Sequence, residues 1–275
     1  MGHVISIANQ KGGVGKTTTA VNLSASIAVS ERTCLLIDCD PQGNATTGLG
    51  IDRFGLKKGL YDLLSGAVPG EEVVTKTALS GLDLIGSTTH LIGAEVELVS
   101  WEEKEFRLRS GLGQLKDKYD YIFVDCPPSL GFLTVNALTA SDAVLIPLQC
   151  EYYALEGLSQ LLRTLKAVKR GLNPTLRLAG ILLTMYDNRN NLSRQVTEEV
   201  RAYFKGSVFN TVIPRNVRLG EAPSYGKPIL LYDIGCKGAQ SYLDLARELI
   251  GRGIARDGKE KGSWKGTIGP DSRGQ

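Results

Sequence analysis

Long hydrophobic runs are missing from this 275-residue chain: the longest, 178–185, is far short of the roughly 20 apolar residues a membrane-spanning helix needs. No N-terminal stretch joins a basic region to an apolar core and a cleavage site, so export is not expected. Cysteine is sparse, and Cys34, Cys39, Cys126, Cys150 and Cys236 include no CxxC pair. That spacing argues against a disulfide framework and a zinc site, and makes a reducing cytoplasm the expected compartment. Excess charge of one sign is lacking too. The formal net charge is +3, and residues 251–275 hold six basic and three acidic side chains, which leaves 26 of each in 1–250. A neutral body can bind nucleic acid only through a local patch.

What is present is the composition of a folded protein, 42% hydrophobic and 22% charged, enough for one large α/β domain or two small ones. Short apolar, β-branched runs at 4–8, 34–37, 82–85, 121–124, 143–147, 178–183 and 208–213 predict strands. Several are apolar on consecutive residues, as strands covered on both faces of a parallel sheet are. Between them, 17–29, 154–169, 194–204 and 239–250 place apolar residues three and four apart, the spacing of helices with one buried face. In 194–204 that face is Val196, Val200 and Tyr203. Strand and helix in alternation predict an α/β fold with a doubly wound, mostly parallel sheet flanked by helices, whose ligands sit at the carboxyl ends of the strands. There is no internal repeat, and no linker before residue 251. The expectation is one domain, 1–250, followed by a Gly-rich charged tail, 251–275, with seven glycines. Such a composition reads as a disordered, solvated extension, with contact to DNA as the alternative.

The strongest signal follows the first strand: Lys11-Gly12-Gly13-Val14-Gly15-Lys16-Thr17-Thr18. Glycines reach backbone angles closed to other residues, so successive amides can turn inward and form a concave anion site. A helix beginning near Lys16 adds its positive end. Lys16 would reach the terminal phosphates of a nucleotide, and Thr17 would hold Mg²⁺ through its hydroxyl. The plain alternative is a Gly-rich turn. The general phosphate-loop pattern wants Gly where this chain has Gln10, and in its place Lys11 opens the loop. A second lysine has no evident task in its own phosphate site.

These residues resemble the deviant Walker A motif, and with it the ParA/Soj partition ATPases, in the wider group that holds MinD and nitrogenase iron protein. The resemblance covers about 1–250. It includes Asp38-Cys39-Asp40-Pro41-Gln42-Gly43-Asn44, Asp125-Cys126-Pro127-Pro128-Ser129, the stretch from Glu151 to Leu158, and Ile213-Pro214-Arg215-Asn216-Val217-Arg218-Leu219. It implies a P-loop NTPase fold and an Mg²⁺-dependent ATPase of slow intrinsic turnover. It also implies that Lys11 reaches across a dimer interface to the partner's ATP.

Asp38 and Asp40 close the second strand and Asp125 the strand at 121–124, so all three are expected at the edge that carries the phosphate loop. A carboxylate there can bind Mg²⁺ through water or hold the attacking water in line, or it can simply cap a turn. The residues alone do not separate the two chemical roles. The resemblance assigns Asp40 to the water and Asp125 to Mg²⁺. The segments around Asp40 and Asp125 are broken by proline and read as two switches that reorder on γ-phosphate loss. Adenine is expected at Pro214 and Asn216 by the same resemblance, an ordinary turn being the alternative.

Three partner readings follow. In the first, ATP joins two copies into a homodimer that binds DNA without sequence preference, and a ParB-like centromere-binding protein stimulates hydrolysis. The cellular role is then chromosome or plasmid partition at the nucleoid, in the cytoplasm. Arg189 and Arg218 are the expected DNA contacts, since the family carries basic residues there, and Arg194, Arg215 and Lys227 lie near them in sequence. Each alone also fits a solvated surface. The second reading, a MinD-like membrane ATPase, needs an amphipathic C-terminal helix, and 251–275 offers only scattered apolar groups. The opening Met1-Gly2-His3-Val4-Ile5-Ser6 fits an acylation pattern but leads straight into the first buried strand. The third, an iron–sulfur relative, would have to use Cys126 and Cys150, and free cysteine commonly serves as a small buried hydrophobe.

Overall fold

The computed structural model describes residues 2–151 and 154–253. Its strands are β1 (His3–Ile7), β2 (Cys34–Asp38), β3 (Val74–Lys76), β4 (Leu82–Ile85), β5 (Tyr121–Asp125), β6 (Ala143–Gln149), β7 (Arg177–Tyr186) and β8 (Val208–Pro214). The helices are α1 (Lys16–Ala28), α2 (Asn44–Gly48), α3 (Leu60–Ser65), α4 (Leu91–Glu97), α5 (Arg107–Leu112), α6 (Phe132–Ala140), α7 (Ala154–Gly171), α8 (Asn191–Tyr203), α9 (Val217–Glu221), α10 (Ile229–Tyr232) and α11 (Lys237–Arg252). The strands form one sheet in the order β3-β4-β2-β5-β1-β6-β7-β8. Every pairing is parallel except β3 with β4. The expected doubly wound α/β architecture is the one observed.

The consecutive apolar runs divide by parity between two cores. Val4, Leu35, Ile37, Ile122, Val124, Val144 and Ile146 face one cluster, with Leu133 of α6 and Leu158, Leu161 and Leu165 of α7. Ile5, Ile7, Leu36, Phe123, Leu145 and Leu182 face the other, under Leu23 and Ile27 of α1 and Tyr242, Leu245 and Leu249 of α11. Both faces of the central strands are thus covered, which is why these strands show no polar alternation. From β1 the chain crosses by α1 towards β2, and from β6 it leaves by α7 towards β7 on the other side. The crevice at the carboxyl ends of β1 and β6 is therefore a topological switch point.

The differences from sequence expectation lie at element ends. Strands β2 and β5 each run one residue further, to Asp38 and Asp125, and β7 reaches Tyr186. Helix α8 starts three residues earlier than expected, at Asn191, because the Asn190 side chain accepts the Leu192 amide at 2.9 Å. Val196 and Val200 are buried as expected, but Tyr203 is 43% exposed. Helix α11 continues to Arg252, with Gly253 as its left-handed cap, two residues past the expected end of the domain; residues 254–275 of the expected tail lie outside the described residues.

Strand β8 pairs only with β7, yet side chains occupy its outer edge. Glu248 of α11 accepts the Asn210 and Thr211 amides, each at 2.8 Å, and the Thr211 hydroxyl at 2.7 Å. Arg252 donates to the Val208 carbonyl at 2.7 Å, and Arg201 to those of Phe209 and Asn210, each at 3.2 Å. One carboxylate thereby does the work of a neighbouring strand and blocks edge-to-edge pairing. Burial pushes the Glu248 carboxyl up, and these donors more than offset it, leaving its pKa below the ordinary value of 4.5. Its contribution to stability is therefore complete above that ordinary value and lost as pH falls through the lower, folded one. Glu248→Ala should cost roughly 2 kcal/mol in urea unfolding at pH 7, and the gap from wild type should narrow on acidification below pH 4.5.

Candidate nucleotide site

Strand β1 delivers the chain to the switch point, where Asn9 turns it. The Asn9 amide donates to the Pro147 carbonyl at 2.7 Å, and its carbonyl oxygen accepts the Lys11 amide at 3.0 Å. Gly13 and Gly15 then take φ of +73° and +86°, a region where a β-carbon meets the following carbonyl. Gly15 caps α1 with no side chain bonded to the helix's first amides, which leaves those amides for an anion. From β7, the Thr184 hydroxyl donates to the Val14 carbonyl at 2.9 Å and fixes the loop from beyond the crevice.

Lys16, only 7% exposed, bends back over this loop and donates to the Lys11 carbonyl at 3.0 Å. Burial lowers its pKa, while Asp125, Cys126 and Asp40 pull it up. Asp38 and Asp125 are register partners on β2 and β5, both fully buried. Asp38 is well satisfied: it accepts the Thr46 amide at 2.7 Å, the Thr46 hydroxyl at 2.6 Å and the Asp40 amide at 3.3 Å. Neither oxygen of Asp125 has a well-formed hydrogen bond. Burial raises both carboxyls above the ordinary range; the charge of Asp38 adds to the effect on Asp125, and the Thr17 hydroxyl and Lys16 oppose it. Asp40, nearly buried, accepts the Gln42 amide at 2.9 Å.

The fold thus brings Lys16, Thr17, Asp40 and Asp125 together. Lys11 faces away: its ammonium pairs with Glu151 at 2.5 Å, both side chains nearly half exposed. Pro214 ends β8 opposite Tyr186, and Asn216 caps α9 by accepting the Arg218 amide at 2.9 Å. The loops after β7 and β8 meet, since the Arg215 amide donates to the Tyr186 carbonyl at 3.1 Å. Arg189 and Arg218 therefore lie on one edge. Arg189 is exposed, whereas Arg218 is paired with Glu221 at 2.9 Å and Asp233 at 3.5 Å. Asn9 and Thr184 were not legible because they tie to partners far off in the chain, at Pro147 and Val14; Thr46, just past the Asp38–Asn44 stretch, enters only through its bonds to Asp38. Cys126 and Cys150 are buried free thiols. Burial, with Asp125 adding to it, pushes the Cys126 thiol up to about 12.

A family model described as an AAA domain matches residues 2–178. The chromosome partitioning protein ParA of Myxococcus xanthus is 59% identical over 252 residues, 92% of this chain and 89% of that one. The sporulation initiation inhibitor protein Soj of Bacillus subtilis is 56% identical over 253 residues, 92% of this chain and 100% of that one. The chain belongs to the ParA/Soj family of P-loop ATPases. Cobyrinic acid a,c-diamide synthase from Mycobacterium smegmatis, solved with an ATP analogue and magnesium, is 37% identical to this ParA/Soj chain. The two superimpose with a TM-score of 0.80 over 91% of this chain and 95% of that one.

In this ParA/Soj chain Asp125 is costly to the fold. A buried carboxyl whose pKa is raised favours folding below its ordinary value and opposes it as pH rises through the folded one. Asp125→Asn should raise the melting temperature of the nucleotide-free chain at pH 8, by about 2–4 °C for each kcal/mol recovered, while lowering ATP turnover. Lys16→Ala should abolish ATP binding in equilibrium titrations. Asp40→Ala should keep ATP and stall hydrolysis; normal turnover there would remove Asp40 from the reaction.

Proposed function

We propose that this ParA/Soj chain is an ATP-gated DNA-binding switch acting in chromosome or plasmid partition. Two copies pair through Mg²⁺-ATP, hold DNA without base preference, and release it when a ParB-like centromere-binding partner stimulates an intrinsically slow hydrolysis. The observation that carries the reading is the orphaned, buried Asp125 beside Thr17 and Lys16. Stability alone would not retain such a group. Among the described residues no three His, Cys, Asp or Glu side chains are grouped to hold a metal by themselves. That suits Mg²⁺, which keeps waters and leans on phosphates: the Thr17 hydroxyl would hold it directly and Asp125 through water. When bound, it neutralises charge on the β- and γ-phosphates.

The chain's own residues supply the rest. The amides of 11–18 cradle the phosphates, Lys16 exchanges the Lys11 carbonyl for a terminal phosphate oxygen, and Asp40 orients the attacking water. Lys11 reaches the nucleotide of the second copy once it leaves Glu151. The Pro214 backbone and the amide of Asn216 hold adenine, the Asn216 oxygen being taken by its cap. Arg189 and Arg218 contact DNA phosphates; Arg194, Arg215 and Lys227 are exposed on the same two segments. Pairing doubles this set, so nucleotide state controls DNA affinity. Among the described residues no helix is long and apolar enough to cross a membrane.

Binding of a random-sequence duplex, compared with ATP and with ADP, tests the proposal. Tight, salt-sensitive binding with ATP alone is expected, as is its loss in the Arg189→Ala, Arg218→Ala double variant with ATP-dependent pairing intact. Equal binding in both nucleotides would sink the gated-switch reading, and loss of pairing in the double variant would make the two arginines interface residues.

A further inference from the structure

The first switch, 40–46, is gripped from two sides. Inside, Asp38 holds Thr46 and the Asp40 amide. Outside stands Arg53, in the loop after α2. Its Nη2 donates to the Pro41 carbonyl at 2.8 Å, and its Nη1 donates to the Gln42 carbonyl. The guanidinium lies flat against Gly43: a β-carbon there would be 3.1 Å from Cζ, Nε and Nη1 alike. Gly43 has φ of +68°, so this residue admits both the turn and the close approach. The Arg53 Nε is buried with no partner, and Phe54, 81% exposed, sits with its ring centroid 5.8 Å from Cζ.

The grip leads to the reacting centre through two peptide planes. Gln42, whose carbonyl Arg53 holds, donates its own amide to the Asp40 carboxylate at 2.9 Å. The Gly43 amide donates to the Asp40 carbonyl, also at 2.9 Å. One guanidinium thus fixes the carbonyls on either side of the amide that orients Asp40. A planar fork suits two neighbouring carbonyls, whereas a lysine ammonium concentrates its donors at one point. Both of these hydrogen bonds end on the switch, none on the phosphate loop.

We infer that Arg53 is a positioning residue for hydrolysis: it holds the first switch so that Asp40 points at the attacking water. This rests on the reading of Asp40 given above. An acid misplaced by about 1 Å can cost up to a hundredfold in rate, while binding made elsewhere is untouched. The loss therefore belongs in kcat and not in KM.

The test uses the full chain, its Arg53→Ala and Arg53→Lys variants, steady-state ATP turnover, and hydrogen–deuterium exchange of the peptide spanning 40–46. Arg53→Ala should lower kcat by about tenfold or more, leave KM for ATP within about twofold, and speed exchange across 41–44. Arg53→Lys should recover little of either. Wild-type kcat in Arg53→Ala would overturn the inference, as would a loss appearing wholly in KM. A wild-type chain that hydrolyses no ATP would refute the ATPase reading instead. Exchange then decides Arg53 by itself, and unchanged protection at 41–44 would refute the clamp.

Discussion

One lysine and three aspartates crowd a nearly dry edge of the sheet, and the rest of the site answers to that crowding. Lys16 is buried and donates to the Lys11 carbonyl. Asp38 accepts three hydrogen bonds from the segment that follows it, though burial still holds its carboxyl above the ordinary range. Asp125, in register beside it, receives nothing comparable. A fold selected for stability alone would place a neutral or apolar group there. On the reading proposed above, the unsatisfied Asp125 takes a hydrated cation, and the loop amides with Lys16 take phosphate.

That edge can exist only because the sheet is secured elsewhere. Crossover helices cover both faces of β1, β2, β5 and β6, so the ends of these strands are rigid points from which short loops project. Ties across the crevice, Asn9 to Pro147 and Thr184 to Val14, hold the phosphate loop to the far half of the sheet. At the outer edge, Glu248 and Arg252 of α11 do for β8 what another strand would do. The scaffold thus carries the stability and fixes the strand ends and the start of α1 from which the candidate site is built.

The same division explains what could be read from the sequence. The phosphate loop was legible because each requirement is local: glycine for left-handed backbone, lysine and threonine at fixed offsets, a helix next in line. The parallel strands were legible as apolar runs, although Asp38 and Asp125 fall inside the ladders and polar residues hide a strand's end. Strand β3 has three residues and no pattern. Helices α3, α4 and α5 are too short for periodicity to speak. Tyr203 obeys the helical spacing of Val196 and Val200 yet lies at the helix's last residue, beyond the core. The Asn9, Thr184 and Arg53 ties were invisible, since a polar residue's partner is chosen by the assembled fold and not by its neighbours in sequence.

The placement of Lys11 bears on what controls pairing. In a single copy its ammonium has a counter-ion, Glu151, but both side chains are nearly half in water, where an ion pair is worth little. Releasing the lysine is therefore cheap and cannot be the barrier that keeps copies apart. A bound phosphate chain would carry more charge than one carboxylate and would lie beside buried Lys16, where screening is weak. In the proposed cycle, then, the nucleotide's charge sets the equilibrium, and Glu151 only parks the lysine in an exposed, quickly exchanging position. On that reading, loss of the γ-phosphate would weaken the attraction on Lys11 and, through the first switch, the order around Asp40 together. Both effects would begin at one phosphate, so hydrolysis, once the partner has stimulated it, would end pairing and DNA binding together.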